Sequence, residues 1–292
     1  MLTAIDRVQM AVPDAGRVAA LWQGILGAEP AGQDRLALLG AKRTALRLGR
    51  GWLELLEPDG AGPVADAVAR RGGHMFAAGA SAPDLAALRA RLVANGRTPA
   101  EEGGQLFLDA AGTGIDGLRL VLSAAQDLPA VGDIDFLYEA TLLAPDHRGD
   151  TARFAALFGL DADVFVPITS ERFGYTGTLT LFHRDRLHRF EVITPTDMDL
   201  TMGRFLARQG PVLYMAFAET PRLSAIEARI AERHPPERPG MTVDRPAGRR
   251  ADQVADQIWV HPPTLGGMML GLSRPSMAWS WSGHPERVEA VA

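Results

Sequence analysis

The sequence predicts an α+β fold built from four βαβββ units, arranged as two tandem halves with the same order of elements. The first observation is a stretch at 5–27 that combines a strand, a Pro-Asp helix start, an amphipathic helix and a glycine stop, and that recurs at 138–159. The second observation is a strand at 52–58 with glutamate four residues before proline, which recurs at 189–195. Because both stretches recur in the same order, we interpret the chain as a duplication.

The remaining elements of the first half follow from turn and helix signals. Gly49-Arg50-Gly51 separates two apolar runs and predicts a hairpin. A helix is predicted from Pro63 to Arg71, where two glycines stop it. A second helix is predicted from Pro83 to Asn95, and its counterpart opens at Pro221, a shift of 138 residues. Strands are predicted at 74–82, 106–109 and 117–122.

The domain division follows the repeat. We expect a first domain at 1–122, a linker at 123–133, and a second domain at 134–292 with an aromatic segment at 277–283 near its end. The stretch 234–257 is rich in proline, arginine and glycine and is predicted to be a long loop, a kind of segment that is usually functional or mobile.

Composition narrows the function classes. An apolar share of 47% and a charged share of 22% are typical of a soluble globular protein. The formal net charge of −5, without a basic stripe, gives no support for nucleic-acid binding. Zero cysteines exclude disulfides, thiolate catalysis and zinc–sulfur sites. Because neither a signal peptide nor an apolar run of membrane-spanning length is recognised, a cytoplasmic protein without a membrane partner is expected.

The order of units resembles the vicinal oxygen chelate superfamily, which includes glyoxalases, bleomycin-resistance proteins and methylmalonyl-CoA epimerases. The best local matches are 5–14, 52–58 and 259–272, and the resemblance spans nearly the whole chain. It implies two glyoxalase-like domains, each made of two βαβββ units around a cleft.

In metal-using members of that superfamily, the ligands come from the first and last strands of the units. Carried over by position, the resemblance gives Arg7, Glu54, Ala77 and Val121 in the first half and Glu139, Glu191, Met215 and Gly271 in the second. A metal ion needs at least three converging lone-pair donors, which neither set supplies. No metal ligand and no cofactor is therefore predicted, and the extradiol dioxygenase chemistry of the superfamily is argued against.

Glu139 and Glu191 are the predicted catalytic residues, because the resemblance directs both into one cleft. Two close carboxylates do not both ionise readily, so one is expected to keep a proton, as acid–base catalysis requires. Replacement of either by glutamine is then expected to stop turnover while folding stays intact. The alternative is that each glutamate pairs with an arginine such as Arg153 or Arg189, or faces solvent.

Five further residues are candidates for substrate binding. Arg7 is expected either to form an ion pair with Glu54 in a retired metal site or to bind a substrate carboxylate or phosphate through its planar guanidinium. Trp52 and Tyr214 are expected in the core or in the cleft wall. His261, at a strand end, has a structural alternative as well.

The leading functional hypothesis is a metal-independent, isomerase- or lyase-like protein that acts on a small oxygen-rich organic molecule or an acyl-thioester. One alternative is a non-catalytic small-molecule binding or sequestering protein of the bleomycin-resistance type. The other is a metalloenzyme with relocated ligands, in which His74 or His261 joins a glutamate. A small-molecule ligand is the expected partner, and a homodimer is an assembly that the sequence leaves open.

Overall fold

The computed structural model describes residues 1–246, 249–250 and 253–290. The helices of this part of the chain are α1 Ala15–Leu26, α2 Pro63–Arg71, α3 Leu85–Ala94, α4 Ala110–Thr113, α5 His147–Phe158, α6 Thr201–Gln209 and α7 Leu223–Arg233. The strands of the first half are β1 Ala4–Ala11, β2 Glu29–Leu36, β3 Ala41–Leu48, β4 Gly51–Pro58, β5 His74–Ala82, β6 Ala100–Glu102, β7 Gln105–Leu108 and β8 Leu120–Ala124. Those of the second half are β9 Phe136–Leu143, β10 Val166–Ser170, β11 Tyr175–Leu181, β12 Arg189–Pro195, β13 Val212–Glu219, β14 Met241–Asp244, β15 Gln257–Val260 and β16 Met269–Ser273.

The two halves have the same sheet topology. Within the described residues, the first half forms an eight-stranded sheet of order β2-β3-β4-β1-β5-β8-β7-β6. The second half forms an eight-stranded sheet of order β10-β11-β12-β9-β13-β16-β15-β14, in which each strand stands where its counterpart stands in the first sheet. The predicted α+β duplication is therefore confirmed.

The chain also divides into two compact units. One unit contains Met1–Ile5, Ala77–Gln126 and Tyr138–Tyr214, and the other contains Asp6–Phe76, Asp127–Leu137 and Met215–Ala292. Each unit thus combines one βαβββ module from each half of the sequence. The boundaries at 1–122, 123–133 and 134–292 describe the repeat, and their status as folding domains stays a prediction.

Two parallel strand pairs determine which polar side chains meet. In the pairing of β1 with β4, Gln9 lies opposite Glu54. In the pairing of β9 with β12, Thr141 lies opposite Glu191 and Glu139 lies opposite Arg189. Because side chains alternate between the two faces of a strand, Glu139, Thr141, Arg189 and Glu191 all project from the same face of the second sheet.

The predicted long loop at 234–257 contains regular structure. The short strand β14 lies within it and pairs antiparallel with β15, which begins at Gln257. Residues 247–248 and 251–252 of that stretch lie outside the described residues. Among the residues that are described, no helix is long and apolar enough to cross a membrane.

The first helix of each half begins and ends as the sequence predicts. The Asp14 carboxylate accepts a hydrogen bond from a backbone N–H of the first turn of α1, and the Asp146 carboxylate does the same for α5. The two helices end at Gly27 (φ 68°) and Gly159 (φ 65°), both in the left-handed conformation that a glycine adopts without strain.

We expect Asp14→Ala and Asp146→Ala each to lower the free energy of unfolding by about 0.5–2 kcal/mol, the usual cost of losing an N-cap acceptor. Urea denaturation measures the change. Asp14→Asn and Asp146→Asn are the matched controls, because asparagine keeps the oxygen that accepts the bond. Asparagine variants as unstable as the alanine variants would show that the caps contribute little.

A buried carboxylate anchors the C-terminal segment. Glu219, at the end of β13, accepts a hydrogen bond from the backbone N–H of Ser276 at 2.9 Å. Ser276 has a φ of 61°, and its hydroxyl in turn accepts the backbone N–H of Glu289. The aromatic segment begins in the adjoining 3-10 turn, Met277–Ser280. Burial, with a smaller contribution from nearby carboxylates, raises the pKa of Glu219 to about 7.

This raised pKa predicts a pH-dependent stability. Between the ordinary carboxyl value of 4.5 and about 7, the folded chain keeps a proton on Glu219 that the unfolded chain has released. The stabilisation is complete below the lower value and is lost as pH rises through the upper one. Urea denaturation at several pH values is expected to show a steeper decline for the wild type than for Glu219→Gln, which still accepts the Ser276 bond but does not titrate. Identical declines would contradict the assignment.

Candidate functional site

The centre of the candidate site is a buried ion pair on the face of the second sheet. The Arg189 Nε donates a hydrogen bond to Glu139 Oε2 at 2.5 Å. The side chain of Arg189 is 0% exposed and that of Glu139 is 2% exposed, so water hardly screens this pair. The guanidinium carbon of Arg189 also lies 4.9 Å from the ring centroid of Tyr138, which favours the cation through its π-system. The sequence suggested Arg153 and Arg189 as possible partners of the glutamates, and Arg189 is the one that bonds Glu139.

The second carboxyl group, Glu191, has a different environment. The Thr141 hydroxyl donates to Glu191 Oε2 at 2.5 Å, and the same hydroxyl oxygen lies 3.4 Å from Glu139 Oε1. Burial raises the pKa of Glu191 well above its ordinary value, and the charge of Glu139 raises it further. The Thr141 bond and the charge of Arg189 oppose this shift without cancelling it. Burial and the charge of Glu139 thus favour the protonated form of Glu191 more than in an ordinary glutamate.

Arg153, the other arginine considered as a partner, lies elsewhere. Its Nη2 bonds the Asp150 carboxylate at 2.6 Å on the same helix.

We call Glu139, Thr141, Arg189 and Glu191 the carboxyl cluster. It contains two acidic side chains and one basic side chain.

An apolar, partly aromatic surface adjoins the carboxyl cluster. Its buried base is Leu143, Ile193, Leu206 and Val212, and the half-buried side chains packed against that base are Ile168, Tyr175, Met202, Phe205 and Tyr214. The rings of Phe205 and Tyr214 meet edge to face at 5.4 Å between centroids. We call the five half-buried side chains the aromatic wall.

Tyr175 connects the aromatic wall with the carboxyl cluster. It is paired with Pro195 across β11 and β12, so it projects from the same face as Glu191. Burial raises the pKa of Tyr175, and the charges of Glu191 and Glu139 raise it further, which shows that the phenol lies within electrostatic reach of both carboxyl groups. The sequence analysis missed this residue, because its position on the same strand face as Glu191 follows only from the strand register.

The corresponding place in the first half holds a buried ion-pair network. Arg7 Nη1 donates to Glu54 Oε1 at 2.8 Å, and Gln9 Nε2 donates to Glu54 Oε2 at 2.7 Å. Arg43, which the sequence did not single out, donates to Glu54 Oε1 at 3.3 Å and forms an ion pair with Asp34. Both Arg7 and Glu54 are buried, and they engage each other, which is the structural alternative stated for this pair.

The other predicted residues lie in local structural contacts. The Arg47 guanidinium carbon lies 5.1 Å from the Trp52 ring centroid. His261 has the Pro239 carbonyl at 2.9 Å from Nδ1 and the Thr242 hydroxyl at 2.9 Å from Nε2. His74 Nδ1 lies 2.9 Å from the Gly72 carbonyl. Both ring nitrogens of His261 are thus in contact with protein oxygens, and the relocated metal site with His74 or His261 stays a hypothesis from the sequence.

Comparison with solved structures identifies the fold. A mutant of 4-hydroxymandelate synthase from Streptomyces coelicolor is similar to this chain with a TM-score of 0.70 and 16% identity, over 94% of this chain and 93% of that chain. The chain has the vicinal oxygen chelate fold. A xylose isomerase-like TIM barrel/4-hydroxyphenylpyruvate dioxygenase fusion protein is similar with a TM-score of 0.62 and 13% identity, over 94% of this chain and 49% of that chain.

A methylmalonyl-CoA epimerase from Mycobacterium tuberculosis is similar over 49% of this chain and 89% of that chain, with 16% identity and a TM-score of 0.38, too low to support an argument. Neither a protein-family model nor a curated protein sequence matches the chain. The comparisons therefore establish the vicinal oxygen chelate fold, and any reaction has to be inferred from the side chains.

The residues at the ligand positions of this fold do not fit a metal ion. Glu139 is engaged by Arg189, whose positive charge opposes a cation at the same place. Met215 offers only a thioether, and Gly271 has no side chain. The Phe217 ring fills the space beside Gly271, because a Cβ added there would lie 2.1 Å from it. In the described part of the chain, no three His, Cys, Asp or Glu side chains converge in a metal-binding group.

The first-half network predicts a coupled stability effect. We expect Glu54→Leu to lower the free energy of unfolding by about 3 kcal/mol, because the buried Arg7 then loses one of its carboxylate partners and keeps Asp6 at 3.2 Å. Arg7→Met is also expected to destabilise, and the double variant is expected to lose less than the sum of the two. Urea denaturation of all four proteins measures the coupling. Strictly additive losses would show that the two side chains are energetically independent.

Proposed function

We propose that the second half carries a proton-transfer site that acts on a small oxygen-bearing organic molecule, in an isomerase- or lyase-like reaction that needs no metal. The observation that supports this most directly is the unequal partnering of two buried carboxyl groups. Glu139 is bonded to the cation Arg189, whereas burial and the charge of Glu139 raise the pKa of Glu191 well above its ordinary value. A neighbouring acid and base in different protonation states are what general acid–base catalysis requires.

The proton movements balance without an added reactant. Glu139 accepts a proton from the carbon next to a carbonyl group while Glu191 donates its proton to the carbonyl oxygen, which gives an enol. Return of a proton to carbon and of the hydroxyl proton to Glu191 restores both groups. Arg189 and Thr141 act as positioning residues, because each is bonded to one carboxyl group of the pair.

Glu191→Gln tests this function. We expect the variant to lose about 10²–10⁴-fold of the rate, the usual contribution of a general acid or base. The measurement is deuterium uptake from heavy water into keto acids and acyl-thioesters, followed by NMR. Stability is expected to stay equal or to rise, because one of two crowded acidic groups is removed.

Glu219→Gln is the matched control for this experiment, since Glu219 is a buried glutamate with a raised pKa outside the carboxyl cluster. It is expected to keep the wild-type exchange rate. Full exchange activity in Glu191→Gln would remove Glu191 from the mechanism.

Glu139→Gln is a less clean test than the sequence suggested. Arg189 is fully buried and loses its carboxylate partner in this variant. Removing one partner of a buried ion pair typically costs about 3–5 kcal/mol. The expectation that both glutamine variants leave folding intact is therefore kept for Glu191 and replaced for Glu139 by an expected loss of stability.

A binding protein is the second candidate function, and the aromatic wall supports it. Partly exposed rings such as Phe205 and Tyr214 supply contact area for a flat ligand without any proton transfer. Ligand binding without deuterium exchange in the wild type, and unchanged binding in Glu191→Gln, would favour this candidate over the enzyme.

A further inference from the structure

We propose that the ligand of this site is an uncharged aromatic molecule whose polar oxygen meets the carboxyl cluster, and that the site discriminates against carboxylates. This inference rests on the proposed function only in using the same site. It narrows the substrate class from oxygen-rich molecules and acyl-thioesters in general to neutral ring compounds with a hydroxyl or carbonyl group.

The charge of the carboxyl cluster is the first argument. Arg189 is the cluster's cation, and its Nε already bonds Glu139 at 2.5 Å. The Thr141 hydroxyl has one proton, which it donates to Glu191. A ligand carboxylate would be a third carboxyl group beside Glu139 and Glu191, and the cation of the cluster is already bonded to Glu139. Because a buried charge is costly unless it is paired, an anionic ligand would have to share Arg189 with Glu139 to offset the water that it loses.

The aromatic wall is the second argument. Ile168, Met202, Phe205 and Tyr214 present hydrocarbon and ring surface, and none of them carries a charge. All four are half-buried, so part of each side chain is left in contact with solvent. A ring placed on such a surface gains from apolar burial and from edge-to-face contact with the aromatic residues.

The position of Tyr175 joins the two arguments. Its half-buried ring belongs to the aromatic wall, while its phenol senses the charges of Glu139 and Glu191. A phenol keeps its proton at neutral pH at its ordinary pKa, and the pKa of Tyr175 is raised further, so it remains a hydrogen-bond donor. A neutral hydroxyl or carbonyl oxygen can accept that bond and also the proton of Glu191.

Three probes of nearly equal size and different charge test the inference: benzyl alcohol, benzoate and benzylamine. Dissociation constants are measured for the full chain by NMR titration at neutral pH. We expect benzyl alcohol to bind in the millimolar range and benzoate to bind at least about tenfold more weakly, a difference of about 1.4 kcal/mol.

Each other result overturns the proposal. Benzoate bound as tightly as benzyl alcohol would show that the site accepts anions. Benzylamine bound most tightly would mark an ammonium site. Absence of binding by all three at millimolar concentrations would remove the aromatic ligand class.

Two variants locate the binding. Phe205→Ala is expected to raise the dissociation constant of benzyl alcohol up to about tenfold, which corresponds to the upper contribution of an aromatic pair. Met198→Ala is the control, because Met198 is half-exposed and apolar but lies outside the aromatic wall. Equal affinity in Phe205→Ala and the wild type would place the binding elsewhere and overturn the proposal.

The outcome is separable from that of the proposed function. Selective binding of benzyl alcohol without deuterium exchange in any substrate would defeat the enzyme and leave the ligand class standing. Suppose instead that the wild type exchanges deuterium into a keto acid, that Glu191→Gln abolishes this activity, and that benzoate binds tightly. The proposed enzyme function would then stand, and the proposed ligand class would fail.

Discussion

The register of the parallel pair β9–β12 is the constraint on which the candidate site depends. It sets Glu139 opposite Arg189 and Thr141 opposite Glu191, so four polar side chains converge on one face of the sheet. A slip of β12 by one residue would turn Arg189 and Glu191 to the other face, away from Glu139 and Thr141. The buried ion pair in turn opposes such a slip, because separating Arg189 from Glu139 would leave two uncompensated charges away from water.

The sequence predicts the elements of this fold better than the contacts within its site. Helix ends at Asp14 and Gly27 are encoded by local chemistry, and the shared parity of Glu139 and Glu191 follows from the repeat. The roles of Thr141, Tyr175 and Arg43 depend on which strands become neighbours, and no local signal carries that information. The strand Met241–Asp244 was missed for a related reason, since it is a half-buried edge strand inside a stretch dominated by proline and arginine.

The two halves place the cation of the ion pair on opposite members of the equivalent strand pair. In the first half the cation, Arg7, is on the first strand and the acid, Glu54, is on its parallel partner. In the second half the acid, Glu139, is on the first strand and the cation, Arg189, is on the partner. Glu54 accepts from Arg7, Gln9 and Arg43, whereas Glu191 adds an acid without adding a base. This difference is why the proton-transfer site is proposed in the second half and not in the first.

The reversed ion pair also has a consequence for how a duplicated chain reaches its native state. Two halves with identical topology can exchange strands during folding, which is a characteristic failure of tandem repeats. If β1 paired with β12 in the equivalent register, Arg7 would lie opposite Arg189, and Glu139 would be left without its cation. Like charges brought together away from water are strongly repulsive. The opposite placement of the cation in the two halves therefore disfavours pairing between the first strand of one half and the partner strand of the other.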